Sequence, residues 1–331
     1  MRIDRPRPLF GALLLTVLVA GGVAITVIAL SGSSESGGDF SGPAGSEAPA
    51  ALDFAESGDP AERLDPDVVT VLAAGDIGRC GSFHVGPVGT YVSIRSDAAF
   101  LALGDIAYPS GTSEDFANCY DTWFAEAKDR THPTPGNTEY ETEGAEAYFS
   151  YFGARAGAPD EGYYAFDLGS WRVISLNSEC WEVGGCDNDD PQYRWLEAEL
   201  AANDRSCILA FWHRPLYTSE SPTGDSRYLQ DLWQLLDQAG TDVLLAGHAH
   251  QYERFAPMNA SNQVDPDGIR SFVVGTGGSD VRPATFVHNG SEVLNTKAYG
   301  VLELELASTG YSWEFIRTSG ERFSDSGSGT C

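Results

Sequence analysis

Metal-binding side chains follow four apolar runs of the sequence, each at the point where the run ends. VVTVLAAGD ends in Asp76, AAFLALGD ends in Asp105, and CILAFWH ends in His213. The fourth run, DVLLAGHAH, delivers His248 and His250, whose spacing of two points both imidazoles to the same face of an extended segment. Imidazoles combined with carboxylates suit zinc, iron or manganese better than calcium or magnesium. These residue types therefore predict transition-metal chemistry.

Strands that alternate with helices must position these side chains. Short β-branched or Leu/Ala-rich runs alternate with helical patterns, which predicts an α/β fold with buried strands. One helix is expected after Asp190-Pro191, and another across Leu229 to Leu236; IRSFVVGTGG, GVLELEL and YSWEFIRT are expected strands. Because open α/β sheets place ligand sites at the carboxyl ends of their strands, the four strand ends are expected to meet.

Five motifs in order resemble those of the calcineurin-like metallophosphoesterases, and specifically their purple acid phosphatase branch. They are GDIG (75–78), GDIAY (104–108), GNTE (136–139), WHRPLY (212–217) and GHAHQYERF (247–255). The resemblance spans roughly residues 68–280, and the tyrosine three residues after the second aspartate marks the branch. It implies an α/β fold, a four-layer α-β-β-α sandwich with two mixed β-sheets and the site at one edge.

The resemblance also implies a ligand set for two metal ions. The first would be held by Asp76, Asp105, Tyr108 and His250, and the second by Asp105 as a bridge with Asn137, His213 and His248. A phenol of ordinary pKa ~10 becomes a ligand only beside a strongly polarising cation, which favours Fe³⁺ in the first site. The second site suits a divalent ion such as Zn²⁺, Fe²⁺ or Mn²⁺. Such a pair can generate a metal-bound hydroxide and clamp a phosphate ester, so we expect a phosphomonoesterase.

One position departs from the family pattern. The family has a histidine in the GNH motif that stabilises the transition state or protonates the leaving group, and this sequence has Thr138. A hydroxyl cannot replace an imidazolium as an acid near pH 6. Besides Thr138 itself, Arg214 and His84 are the catalytic candidates, and Glu139 is a nearby alternative. Arg214, adjacent to His213, is expected to contact phosphate.

The departure at Thr138 keeps two other functions open. A phosphodiesterase or a polyphosphate or nucleotide hydrolase of the same fold needs less help with its leaving group, because the metals can assist it. A metal-retaining but catalytically weak protein that binds phosphate is the third hypothesis.

Composition limits the partners. The chain has 331 residues, 42% of them hydrophobic, enough for a sizeable core. It carries 20 Lys and Arg against 48 Asp and Glu, a formal net charge of −28. Nucleic acid is excluded as a structural partner because such binding needs basic residues to neutralise phosphates. Small phosphate esters are the expected substrates, drawn to a locally positive metal site.

The N-terminal region differs from the rest of the chain. Leu9 to Leu30 carry no charge and follow Arg2, Arg5 and Arg7, which predicts a membrane anchor over residues 1–31. Ala29-Leu30-Ser31 offers a small-x-small site, so a cleaved signal peptide is the alternative. Residues 32–66 are expected to form a flexible acidic Ser/Gly/Ala linker, and residues 67–331 the metallophosphoesterase domain. The domain should lie outside the cytoplasm, either anchored to the membrane or secreted.

Six cysteines agree with an oxidising compartment. Fifteen pairings are possible. Cys180 and Cys186 bracket a short Gly-Gly loop, and Cys331 stands at the C-terminus. The favoured pairs are Cys80–Cys119, Cys180–Cys186 and Cys207–Cys331.

Several further residues are expected to have no part in catalysis. His132, beside Pro133, and His288, beside Asn289-Gly290, are predicted to be exposed loop residues. Tyr252 to Arg254 are predicted to form a packing and ion-pair element.

Overall fold

The computed structural model of the protein describes residues 68–220 and 226–331. The predicted membrane segment 1–31 and the linker 32–66 lie outside the described residues. Among the residues that are described, no helix combines the length and the apolar character needed to cross a membrane.

The strands fall into two mixed sheets. In chain order they are β1 (Val69–Ala74), β2 (Ala99–Leu103), β3 (Thr131–Thr134), β4 (Tyr164–Leu168), β5 (Trp171–Ser175), β6 (Cys207–Phe211), β7 (Val243–Ala246), β8 (Tyr252–Phe255), β9 (Arg270–Val274), β10 (Ser291–Asn295), β11 (Ala298–Ala307), β12 (Gly310–Gly320) and β13 (Ser326–Thr330). All the strands expected from the sequence are present.

The helices are mostly short. The α-helices are α1 (Val85–Ile94), α2 (Ser113–Asp115), α3 (Asp121–Phe124), α4 (Glu146–Phe152), α5 (Pro191–Ala202) and α6 (Gln230–Gln238), and Phe116–Tyr120 form a π-helical turn. The 3₁₀ turns are Ala125–Arg130, Glu139–Glu141, Glu143–Ala145, Gly153–Ala156, Cys180–Glu182 and Arg227–Leu229. Helix α5 begins at Pro191, as expected for a proline at the first helical position, where no N–H is needed.

Strand direction brings the motif residues to one edge. Within the described residues the first sheet has the order β13-β12-β11-β1-β2-β3, and the second has the order β10-β8-β9-β7-β6-β5-β4. Strands β1, β2 and β3 are parallel, as are β5, β6, β7 and β9. The carboxyl ends of each parallel group therefore share an edge.

Side-chain alternation along the strands builds the layers. In β1, Leu72 packs in a cluster with α1, whereas its neighbour Val71 packs between the sheets with Leu209 of β6. On the outer face of the second sheet, Ile208 packs with Leu232 of α6. The described part of the chain is therefore a four-layer α-β-β-α sandwich, as the resemblance implied.

Three disulfides close the chain on itself in the favoured pairing. Their Cα atoms lie 4.8 Å apart in Cys80–Cys119, 5.3 Å apart in Cys180–Cys186 and 5.2 Å apart in Cys207–Cys331. All six cysteines are used. This oxidised state is consistent with an extracellular or secreted protein.

The prediction of exposed loop positions is wrong for His132, and for His288 it is wrong about the exposure although that residue lies outside the regular elements. His132 lies on β3 and its ring stacks on Phe166 at a centroid distance of 3.9 Å, while His288 is only 7% exposed and packs against Phe255. Polar and turn-forming neighbours in the sequence concealed these tertiary contacts. The prediction for Tyr252 to Arg254 is confirmed, because Arg254 Nε donates to the buried Asp325 over 2.8 Å.

Candidate metal centre

Two sheets contribute to one cluster of possible metal ligands. Asp76 follows β1, Asp105 follows β2, and His213 follows β6 of the other sheet. Carboxylate and imidazole atoms of these three buried residues all lie within 4.8 Å of one another. The carboxyl edges of the two parallel groups thus meet, as the strand-end pattern predicted.

Close approach of the strand ends explains the glycines in the motifs. A Cβ on Gly104 would lie 2.5 Å from the ring of His213, and one on Gly247 would lie 2.6 Å from the carbonyl oxygen of Leu103. The residues after these glycines, Asp105 and His248, have positive φ angles of 49° and 64°. Such backbone strain tends to concentrate at functional sites.

Four donor atoms converge on one side of Asp105. The phenolic oxygen of Tyr108 lies 3.0 Å from Asp76 Oδ1, 2.9 Å from Asp105 Oδ2 and 3.4 Å from His250 Nε2. His250 Nε2 is itself 3.0 Å from Asp76 Oδ1. A single phenolic proton cannot satisfy all these acceptors at once. The donor set fits a cation at this position.

A second set lies on the other side of Asp105. Asp105 Oδ1 is 3.3 Å from His213 Nε2, which is 3.3 Å from Asn137 Oδ1. The backbone N–H of Thr138 donates to the same Asp105 oxygen over 2.8 Å and fixes the carboxylate. Each oxygen of Asp105 therefore faces a different set of donors, an arrangement that a bridging carboxylate can use.

Backbone carbonyls orient two of the imidazoles. His213 Nδ1 lies 2.8 Å from the carbonyl oxygen of Leu103, and His250 Nδ1 lies 2.7 Å from that of Asp280. Only an N–H can make these contacts, so each Nδ1 carries a proton and each Nε2 faces the centre. Outer hydrogen bonds of this kind orient metal-binding histidines.

His248 is oriented differently. Its ring centroid lies 5.0 Å from that of His213, but its Nε2 accepts a hydrogen bond from Arg214 Nη1 over 3.0 Å. An imidazole that accepts at Nε2 carries its proton on Nδ1, so neither nitrogen is available to a metal. Coordination by His248 would require this Arg214 contact to break.

Burial and neighbouring charges shift the pKa values of three residues in the cluster. Burial opposes ionisation of Asp76, but the charge and hydrogen bond of His250 hold the pKa of Asp76 below its ordinary value. Burial also opposes the charge on His250, yet Asp76 raises the pKa of that imidazole. Burial and the two carboxylates raise the pKa of Tyr108 far above that of a free phenol. A strongly charged cation would be needed to make this tyrosine a phenolate ligand.

Comparison with known proteins agrees with the motif order and with this geometry. Residues 69–252, more than half of the chain, match the family described as calcineurin-like phosphoesterase. The chain belongs to the calcineurin-like phosphoesterase family.

Curated relatives place it near the purple acid phosphatases. The chain is 26% identical over 245 residues to purple acid phosphatase 15 of Arabidopsis thaliana, a match that covers 63% of this chain and 45% of the relative. It is 34% identical over 122 residues to purple acid phosphatase 22 of the same plant, covering 35% of this chain and 27% of the relative. The chain thus spans less than half the length of either relative.

A solved structure shares the fold. Purple acid phosphatase PPD1 from yellow lupin (Lupinus luteus) seeds superposes with a TM-score of 0.66 at 19% identity, covering 79% of this chain and 53% of that one. At this identity the likeness establishes the fold alone.

Two of the residues considered for acid catalysis are buried beside Asp105. Thr138 is 3% exposed, and its backbone rather than its hydroxyl supports Asp105. Glu139 is fully buried, with Oε1 accepting from the N–H of Ile106 and Oε2 from that of Gly136, both over 2.8 Å. Burial and the charge of Asp105 raise the pKa of Glu139 to about 8. Its hydrogen bonds assign Glu139 to the support of the motif loops.

The other two candidates have different neighbours. Arg214 donates from Nε to Glu179 over 2.7 Å, which holds its guanidinium against His248. His84 stacks on Tyr299 at a centroid distance of 3.7 Å, and its Nδ1 lies 2.9 Å from the hydroxyl of Ser319. The structure therefore connects Arg214 directly to the predicted ligand set, whereas these two contacts of His84 are with residues outside that set.

Sequence reasoning missed three supporting residues. Glu179 holds Arg214, and Asp280 orients His250 through its backbone carbonyl. Arg79 lies 3.4 Å from the Asp280 carboxylate with its guanidinium 5.9 Å from the ring centroid of Tyr108. Only Arg79 carried a signal, because it directly follows the GDIG motif. The carbonyl of Asp280 belongs to the backbone, which every residue type has, so its contact with His250 could not be recognised from the sequence.

Proposed function

We propose that this protein is a binuclear metal-dependent phosphohydrolase that acts on phosphomonoesters. The observation that carries the proposal is Asp105, whose two oxygens face separate sets of donors. The proposed ligands are Asp76, Asp105, Tyr108 and His250 for the first metal, and Asp105, Asn137, His213 and His248 for the second. Fe³⁺ suits the first set because it contains a phenol, and Zn²⁺, Fe²⁺ or Mn²⁺ suits the second.

A pair of such cations would supply Lewis acidity and make water acidic enough to serve as a nucleophile at neutral or acid pH. The chain would supply the positioning. The N–H of Thr138 holds Asp105 in place, and the carbonyls of Leu103 and Asp280 aim the two histidines.

Arg214 is the proposed phosphate-binding residue. Its guanidinium is held by the carboxylate of Glu179, which is 5% exposed, and it lies 3.0 Å from His248. If His248 held a metal, this contact would be lost, and the charged Nη1 of Arg214 would be free to donate to a phosphate oxygen. Arginine suits that role because its planar fork matches the geometry of phosphate.

Activity on three substrates tests the proposal. Protein purified without chelators should hydrolyse 4-nitrophenyl phosphate faster than bis(4-nitrophenyl) phosphate or ATP, and an Asp105→Asn variant should lose this activity. Faster turnover of the diester or of ATP by a wide margin would replace monoester hydrolysis with one of those reactions. No turnover of any ester by metal-loaded protein would refute catalysis.

Replacing Thr138 distinguishes a slow phosphatase from a protein that only binds phosphate. Without an imidazole at this position, activity should be lowered by a factor typical of a lost general acid, about 10² to 10⁴. Thr138→His is expected to raise turnover of alkyl phosphates more than that of nitrophenyl phosphate, because alkoxides need protonation more. Phosphate binding without turnover in both forms would support the binding role.

We also propose the domain order and location that the sequence predicts. Residues 1–31 would anchor the chain or direct its export, residues 32–66 would act as a tether, and residues 67–331 would form the exported domain. The disulfides support an oxidising compartment. Mass spectrometry of the mature N-terminus would distinguish an anchor from a cleaved signal peptide.

A further inference from the structure

Trp181 is a large apolar side chain in contact with water at the edge where the metal centre forms. Trp181 is 70% exposed and lies in the loop that follows β5. Strand β5 is the parallel neighbour of β6, which ends just before His213. The loop that carries Trp181 therefore leaves the sheet on the same edge as the predicted ligands.

Hydrogen bonds fix this loop against Arg214. The backbone N–H of Arg214 donates to Ser178 Oγ over 2.9 Å, and its Nε donates to Glu179 over 2.7 Å. The same guanidinium contacts His248. Trp181 follows Glu179 by two residues, so their Cα atoms lie within roughly 7 Å of each other. The loop that carries Trp181 is thus tied to the proposed phosphate-binding arginine, and Tyr228, the ring that contacts the indole, is close enough to Arg214 for their charges to interact.

A disulfide and a second aromatic ring constrain the groove beside Trp181. The Cys180–Cys186 disulfide closes its loop, and the ring of Tyr228 meets the indole edge-on at a centroid distance of 4.7 Å. A groove of about 360 Å³ lies beside this aromatic pair. Its lining consists of Cys180, Trp181, Gly184, Gly185, Asp187 and Tyr228. This volume is enough for a flat ring system, and a preformed aromatic wall lowers the entropic cost of binding one.

The charges around the groove select against a second anionic group. Glu182 and Asp187 are exposed on the same loop, and Arg214 is assigned to the reacting phosphate. A chain of further phosphates would be repelled by these carboxylates. An uncharged aromatic group would instead gain from stacking on the exposed indole.

We propose that Trp181 and Tyr228 form the subsite for the organic group of the substrate, and that they select phosphomonoesters bearing an uncharged planar ring system. This inference rests on the proposed hydrolytic function, because it concerns the group attached to the phosphate that Arg214 and the metals would hold. Trp181 would contact substrate directly and determine specificity.

Two substrates with the same reacting bond test the subsite. AMP and ribose 5-phosphate both carry a 5′-phosphate on ribose, and only AMP carries a planar base. Wild-type protein should show the higher kcat/KM for AMP. Trp181→Ala should reduce kcat/KM for AMP about tenfold, mainly by raising KM, a factor within the range of stacking by one base. The value for ribose 5-phosphate should stay the same, and Trp181→Phe should restore most of the preference.

Trp123→Ala is the matched control, since it removes another partly exposed tryptophan, 43% exposed on α3. The control should leave the ratio of the two kcat/KM values unchanged. If wild-type protein hydrolyses both substrates and Trp181→Ala keeps the same ratio, the subsite is refuted while the hydrolase stands. If the wild-type protein hydrolyses neither compound nor any aryl phosphate, the proposed function itself fails.

Discussion

Replacing Glu179 by glutamine is expected to weaken phosphate binding without touching any proposed metal ligand. Glu179 accepts from Arg214 Nε over 2.7 Å, and its side chain is 7% exposed. Glutamine keeps the size of the side chain and one accepting oxygen but removes the negative charge. The guanidinium would then be held less firmly at the position where phosphate is proposed to bind.

The size of the effect follows from the type of hydrogen bond. A bond to a charged group contributes about 1.5–3 kcal/mol, and a neutral bond about 0.5–1.5 kcal/mol. The midpoints of the two ranges differ by about 1.25 kcal/mol, close to the roughly 1.4 kcal/mol that corresponds to a tenfold change in an equilibrium constant. Because Arg214 would bind phosphate in both the ground state and the transition state, the loss should appear mainly in KM.

The assay compares Glu179→Gln with Glu199→Gln. Glu199 of α5 accepts from Arg172 Nε of β5 over the same distance of 2.7 Å. Both variants should lose similar thermal stability, but only Glu179→Gln should raise KM for 4-nitrophenyl phosphate and the inhibition constant of orthophosphate, each about tenfold. A change below twofold, or an equal change in the Glu199 variant, would refute the role given to Arg214.

Three further perturbations test the scaffold around the site. Gly104→Ala places a Cβ 2.5 Å from the ring of His213 at a φ of +79°, so metal content should fall and urea stability should drop by at least the ~1–2 kcal/mol cost of that conformation. Burial raises the pKa of Asp242 to about 6. The stabilisation by its protonated carboxyl is therefore fully present below the pKa of the unfolded state and is lost as the pH rises through 6. The Tm of Asp242→Asn should therefore rise relative to that of the wild type between pH 4 and pH 7, and parallel Tm curves would contradict this. Converting Cys207 and Cys331 to serine opens a link with a sequence separation of 124, which should cost about 5 kcal/mol in urea unfolding, compared with about 2 kcal/mol for the short disulfide after β5.

Much of the fold could be predicted because local patterns and tertiary structure agree. The apolar run before Asp76 is a strand, and Pro191 starts a helix, because period and capping chemistry act over a few residues. The order of strands in the two sheets was not predicted, since pairing such as β11 beside β1 joins distant segments. His132 was misassigned for the same reason, because its stacking partner Phe166 lies on another strand.

The candidate site was predictable where residue type carries the chemistry. Asp76, Asp105 and His213 converge as expected because each stands at the carboxyl end of a strand. The fixing of Arg214 by Glu179 depends on a loop packed after β5, and no short-range pattern reports it. Likewise, no local sequence pattern reports the hydrogen bond from Arg214 to His248, because it depends on the packing of two distant loops.

Metal analysis tests the central claim most directly. Wild-type protein purified without chelators should contain about two metal ions per chain by mass spectrometry, one of them iron, and should show a violet absorption band from the tyrosinate of Tyr108. Asp105→Ala should lose both ions, because one carboxylate is proposed to serve both positions. The exposed control Asp97→Asn should keep them. One ion or none in the wild-type protein, or two ions retained without Asp105, would contradict the proposed centre.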